Sequence, residues 1–177
     1  MLARFFGPAT AGFYSLSRSV LAAPAGLLGS SIGNVFFAQI AEAVNKGNDP
    51  KPYLYKATFG AFAIALVPFA IIMIWGAPLF SFVFGSQWHT AGQYAQWIAV
   101  WLLFSLSARP VIATIPVIGL QGTFLVVEII FTILKVSSIL LGAVVYSSAL
   151  YAVAFYSSVS ALLYIVLFLI VMHKVDL

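Results

Sequence analysis

The sequence predicts an all-α, polytopic membrane helical bundle of about five transmembrane helices, and three observations carry that prediction. Hydrophobic residues make up 63% of the 177 positions and charged ones 7%, with a mean hydropathy of +1.11, far above the range of a water-soluble domain. Five apolar runs each reach the roughly 20 residues that a helix needs to cross a hydrocarbon core of about 30 Å. Short clusters of Gly, Pro, Asn and Ser separate them, as turns between spans should.

The first span is expected at roughly 10–43, a long run ended by NKGNDPKP, residues 45–52, the one strongly polar linker. The second, at roughly 53–80, stops before FGSQWHTAG at 84–92, where Gly and polar residues interrupt the apolar run. The third, at roughly 91–118, gives way to IGLQG at 118–122, and the fourth occupies roughly 121–146. YSSA around residue 147 turns the chain into the fifth, at roughly 148–173. No stretch reads as a soluble domain, so 1–177 is a single transmembrane domain. MLARFFGPATAG holds no apolar run of leader length ending in a small-residue cleavage site. The absence of cysteine removes disulfides and thiolate metal sites; no cofactor, metal or nucleic-acid partner is expected.

Basic residues near helix ends are retained on the cytoplasmic side. Lys46, Lys51 and Lys56 flank the polar linker and Lys174 lies at the far end, on the same side if there are five spans. Residues 84–92 and 146–150 hold no Lys or Arg, which puts the amino terminus outside and the carboxyl terminus in the cytoplasm. Trp75, Trp88, Tyr94 and Trp97 at one interface and Tyr53 and Tyr55 at the other agree with that orientation.

Within the spans, Ala25, Gly29 and Gly33 repeat at four residues, with Ala22 and Gly26 on the same side. Such a row lets a neighbouring helix approach closely. It is not a phosphate loop, since no strand precedes it and no Gly-Lys-Ser/Thr follows. Pro24 and Pro68 each remove a backbone donor inside a span and should kink it, either as a fixed bend or as a hinge that moves in transport.

Arg18, Arg109, Glu128 and Lys135 fall inside spans, where a central charge costs about 2.5–3.5 kcal/mol on insertion scales. Arg18 could snorkel to headgroups, and Arg109, one turn after Ser105 and before Pro110, could be an interfacial anchor. Lys135 lies near the middle of its span, too far from either surface for easy escape. At 100° per residue Glu128 and Lys135 differ by about 20°, and Gln121, Thr132 and Gly142 join them in one stripe that should face helices or water. The two charges are about 10.5 Å apart along the axis, which leaves open whether they pair. Three intramembrane cations against one anion call for anions from elsewhere, either carboxylates from another part of the protein or an anionic substrate, for which phosphate is the group that Arg and Lys suit best.

Read in order, ARFFGPATAGFYSLSRSVLAAPAGLLGSSIGNVFFAQIAEA, then LYK opening a long apolar helix, then LFSFVFGSQWHTAGQYA, resemble the polysaccharide transporter family. These are the Wzx-like flippases of the multidrug, oligosaccharidyl-lipid and polysaccharide exporter superfamily. Phe6-Gly7-Pro8, Gly12-Phe13-Tyr14, Arg18, Pro24, Val35-Phe36-Phe37, Phe84-Gly85, Trp88 and Ala91-Gly92 match the family's pattern, whereas the last two spans match only in hydropathy and length.

The resemblance implies a two-lobe transporter of the bacterial cytoplasmic membrane. It would move a polyprenyl-diphosphate-linked oligosaccharide to the outer leaflet by ion-coupled alternating access, among membrane lipids and polysaccharide assembly proteins. Arg18 matches the family's arginine in the second helix of the carboxyl-terminal lobe, so the chain is expected to be the carboxyl-terminal part, with an amino-terminal lobe elsewhere and MLARFFG as the end of a preceding helix. Ser86 and Gln87 depart from the pattern, standing where acidic residues are usual. The competing expectations are an ion-coupled small-molecule exporter, which would favour cavity carboxylates, and a truncated membrane remnant or scaffold. An enzyme is not expected: His89 and His173 lie at opposite ends, and Asp49 and Asp176 have no catalytic neighbours.

Overall fold

The computed structural model describes residues 2–174, which excludes Asp176. It is all-helical, and five of its helical segments are long and apolar enough to cross a membrane. The chain is a multi-pass membrane protein.

Helix α1 (Leu2–Asn45) carries one non-helical residue, Gly7, at φ 84° and ψ 169°. Pro8 drives the residue before it out of the α region, and only glycine takes that positive φ without strain. The helix expected from residue 10 therefore starts in earnest at Pro8, after a short preceding turn. Its other end closes on Gly47 at φ 72°, with Asn48 N–H donating to Ala43 O at 2.9 Å and Gly47 N–H to Val44 O at 3.0 Å. Those two bonds satisfy carbonyls that the helix end would otherwise leave open.

Helix α2 (Lys51–Phe84) begins behind Pro50, with Asp49 Oδ1 accepting the Lys51 N–H at 2.9 Å, and ends at Gly85, φ 103°. A single 3₁₀ turn, Ser86–Trp88, leads into α3 (His89–Ser107). The third expected span is in two pieces, α3 and α4 (Arg109–Thr114), because Pro110 cannot donate to the carbonyl of Leu106 and its ring crowds it. Pro116 and Gly119, φ 70°, then turn the chain into α5 (Gln121–Val144), and α6 (Ala149–Lys174) completes the bundle. Pro24 and Pro68 both sit on exposed faces of helices that run through them, so neither is a break; the breaks fall at Pro8 and Pro110.

Helix α3 is the hub, packed against α1, α2 and α6, while α5 packs chiefly on α6. Leu21 and Ala25 of α1, Ala65 and Phe69 of α2, Ile98 and Leu102 of α3 and Val153 of α6 share one core. A second core joins Ile40, Leu54, Val111, Phe131, Leu163 and Leu167 toward the polar-linker end. Lipid is as apolar as these side chains, so what decides the contacts is how closely backbones approach.

Two crossings depend on glycine, and a third is eased by it. A Cβ on Gly92 would stand 2.5 Å from Ala77 Cα and from Gly76 O, and one on Gly142 would stand 2.5 Å from Ala152 Cα. Gly29 is the third: its Cβ would lie 3.1 Å from Arg109 Nε and 3.2 Å from Leu106 Cδ1. Of the expected packing row, Ala25 and Gly29 are buried, but a Cβ on Gly33 would meet nothing within 4 Å. A second row at the same spacing, Ala57, Ala61 and Ala65 on α2, is buried throughout. Large apolar side chains such as Leu27, Val67, Phe82 and Leu162 cover the outside.

A cationic cleft with an aromatic wall

The α3–α4 break positions Arg109. As the first residue of α4 it projects from the turn, and Gly29 opposite leaves room for its guanidinium to lie across α1. Arg18, three turns earlier on α1, has its guanidinium carbon 5.9 Å from the centre of the Trp101 ring, within reach of a cation–π attraction. Both arginines line one cleft of about 250 Å³ with Ala22, Gly26, Trp101, Ser105 and Tyr164. Neither arginine has an ion-pair partner among the described residues, and both are exposed.

Lys135 approaches the same wall from α5. Its Nζ lies 5.6 Å from the Tyr164 ring and 6.0 Å from the Phe131 ring, so Tyr164 connects the lysine to the cleft that holds the arginines. Trp101 in turn meets Tyr156 edge-on at 5.4 Å. Cations from α1, α4 and α5 thus gather around aromatic rings from α3 and α6.

The sequence left open whether Glu128 and Lys135 pair. Lys135 Nζ donates to Glu128 Oε1 at 3.4 Å, a long contact, as the seven-residue separation dictates. The lysine side chain is 16% exposed and the glutamate 45%, so the cation is enclosed and its counter-ion stands at the rim.

The expected stripe divides along its length. Lys135 and Gly142 are covered, Gly142 by the backbone of Ala152, whereas Gln121 and Thr132 are exposed. Thr132 Oγ1 donates to Glu128 O at 2.8 Å, a local back-bond. Gln121 Nε2 donates to Pro116 O at 3.3 Å, serving the α4–α5 turn rather than the cleft. The stripe divides because the glycine that lets α5 approach α6 closely lies past its middle.

Trp101, Tyr156 and Tyr164 are the site residues that the sequence reading missed. A signal for the first was present: Trp101, Ser105 and Arg109 recur at four residues, and the row only had to be followed one turn further back. Nothing local marks the two tyrosines, whose place depends on how α6 packs. Among the described residues no group of three or more His, Asp or Glu could hold a metal ion.

The family model described as Polysaccharide biosynthesis protein matches residues 1–93, a stretch that covers α1, α2 and the start of α3 and includes Arg18 and Gly29. No match was found among curated proteins or solved structures. With more than half of its length under that model, the chain belongs to the polysaccharide biosynthesis protein family.

Proposed function

We propose that the protein is part of a flippase that carries a polyprenyl-diphosphate-linked oligosaccharide across the bacterial cytoplasmic membrane, by transport rather than catalysis. The observation that carries this reading is that Arg18 and Arg109 line one aromatic-walled cleft, that Lys135 stands against Tyr164 of its wall, and that among the described residues Glu128 is the only carboxylate beside them. A diphosphate supplies the missing negative charge and accepts charge-assisted hydrogen bonds from guanidinium groups in the geometry they prefer. Family membership supports a polysaccharide-related cargo.

Exposed arginines do not face hydrocarbon, so the open side of the cleft faces a water-filled cavity closed by further protein. The proposed closing element is an amino-terminal lobe of the same transporter. In this reading the basic linker around Lys46 and Lys51 lies in the cytoplasm and the turn around Gln87 lies outside.

The test is export of lipid-linked glycan by cells carrying the transporter with Arg109→Gln and Lys135→Gln together. Export is expected to fall to background while the amount of protein in the membrane stays unchanged. Undiminished export with both cations gone would refute the cavity assignment.

A further inference from the structure

The geometry points to Glu128 as an internal counter-ion that competes with the bound anion for Lys135 and drives its release. This rests on the reading of the cleft as a diphosphate site. A carrier must hold its cargo firmly enough to take it up and weakly enough to let it go, and two arginines lining the cleft with Lys135 against its Tyr164 wall would hold a diphosphate too well. Glu128 is the one carboxylate away from the ends of the spans: Glu42 pairs with Lys46 at 2.6 Å next to the polar linker, Asp49 lies in that linker, and Asp176 is the penultimate residue.

Three features suit Glu128 to exchange rather than to permanent neutralisation. The contact is long, 3.4 Å across two helical turns, and is made by two extended side chains, so little geometry holds it closed. The exposures are unequal: Lys135 is enclosed beside Tyr164 and Phe131, while Glu128 is 45% exposed, so the carboxylate can leave the lysine without becoming a buried unpaired charge. The Thr132 hydroxyl, which would otherwise be placed to hold the carboxylate, is turned to the backbone carbonyl of Glu128. When an anion takes Lys135 the carboxylate leaves, and when the anion loosens the tethered carboxylate returns at high effective concentration and blocks recapture.

The experiment uses the full chain in lipid nanodiscs and farnesyl diphosphate as the probe, with affinity and dissociation rate both measured. Glu128→Gln is expected to bind the probe about threefold to tenfold more tightly and to release it correspondingly more slowly, the range that one part-exposed ion pair supplies. Glu128→Asp keeps the charge but falls a methylene short of Lys135, and is expected to shift both readings in the same direction by less. In a Lys135→Gln background, Glu128→Gln is expected to change neither.

Unchanged or weaker binding by Glu128→Gln would overturn the counter-ion role, as would an undiminished Glu128→Gln effect in the Lys135→Gln background. If Glu128→Gln does not fold, the Asp variant and its release rate decide the question on the same terms. The two readings fail differently. Weaker binding in Lys135→Gln with no gain in Glu128→Gln removes only the counter-ion role, whereas no binding of the probe to any form removes the diphosphate site itself.

Discussion

Replacing Gly92 by alanine tests the packing logic most directly. The added methyl would sit 2.5 Å from both Ala77 Cα and Gly76 O and 2.9 Å from Ala77 N, all backbone atoms that no rotamer change can move. Helices α2 and α3 would have to separate by on the order of 1 Å, which overpacking data place at about 1–3 kcal/mol. The same separation pulls Gln96 away from Met73 O and Ile74 O, to which its amide donates at 3.0 and 3.3 Å. Those bonds matter because Pro78 offers no N–H to the Ile74 carbonyl, and an interhelical hydrogen bond in a membrane contributes about 0.6–2 kcal/mol. Together the loss is roughly 2–5 kcal/mol, set against less than about 1 kcal/mol gained from the better helix former. Reversible unfolding in mixed detergent micelles, followed by circular dichroism, would measure it. Gly60→Ala is the control, since its Cβ would meet nothing within 4 Å. A Gly92→Ala protein as stable as the Gly60→Ala control would refute the claim that backbone contact holds α2 on α3.

Other outcomes follow from the same structure. Gln96→Leu is expected to destabilise by about 1–2 kcal/mol, and less in a Pro78→Ala background, where Ile74 O regains its helical donor; equal losses in both backgrounds would detach Gln96 from the proline. Because the chain has no cysteine, single cysteines at Gln87 and Asn48 report orientation without a background: an impermeant maleimide added to whole cells is expected to label the first and spare the second, and the reverse pattern would invert the topology. Trp101→Leu removes the ring beneath Arg18, and is expected to weaken farnesyl diphosphate binding by about twofold to tenfold, whereas Trp101→Phe, which keeps a ring there and against Tyr156, is expected to weaken it less. Gly142→Val drives a side chain into the backbone of Ala152 and should release α5 from α6, read as faster proteolysis of the turn at 145–148.

Membership of the membrane class was legible because it depends on composition summed over long windows, and the helix number followed from bilayer thickness. What the sequence hid was which interruptions matter. Three prolines, Pro24, Pro68 and Pro110, lie well within the expected spans, with Pro78 near the end of one, and they look equivalent by residue type. Only Pro110 ends a helix; Pro24 and Pro68 are accommodated on exposed faces, and the Ile74 carbonyl that Pro78 leaves open accepts from Gln96, 22 residues away. The distinction is tertiary, since it depends on what stands opposite the freed carbonyl. The same holds for the cleft: single charges stand out in an apolar sequence, but Tyr156 and Tyr164 are unremarkable until α6 places them beside Trp101 and Lys135.

Packing and site chemistry meet at Gly29. It is buried like Ala25 one turn before it, yet the atoms it makes room for are Leu106 Cδ1 and Arg109 Nε, on either side of the α3–α4 break. A helix running straight through residue 109 would present that arginine at a different angle, so Pro110 and Gly29 together fix where the charge sits. Gly29→Ala separates the two roles. Its methyl meets the flexible end of Arg109 at 3.1 Å, so the side chain can give by a few tenths of an ångström, and the helix gains up to about 1 kcal/mol from losing a glycine. Stability should therefore hold or rise, while the displaced guanidinium binds farnesyl diphosphate more weakly. A variant that loses stability but keeps its affinity would show Gly29 to be a packing residue alone and would leave Arg109 positioned by the break.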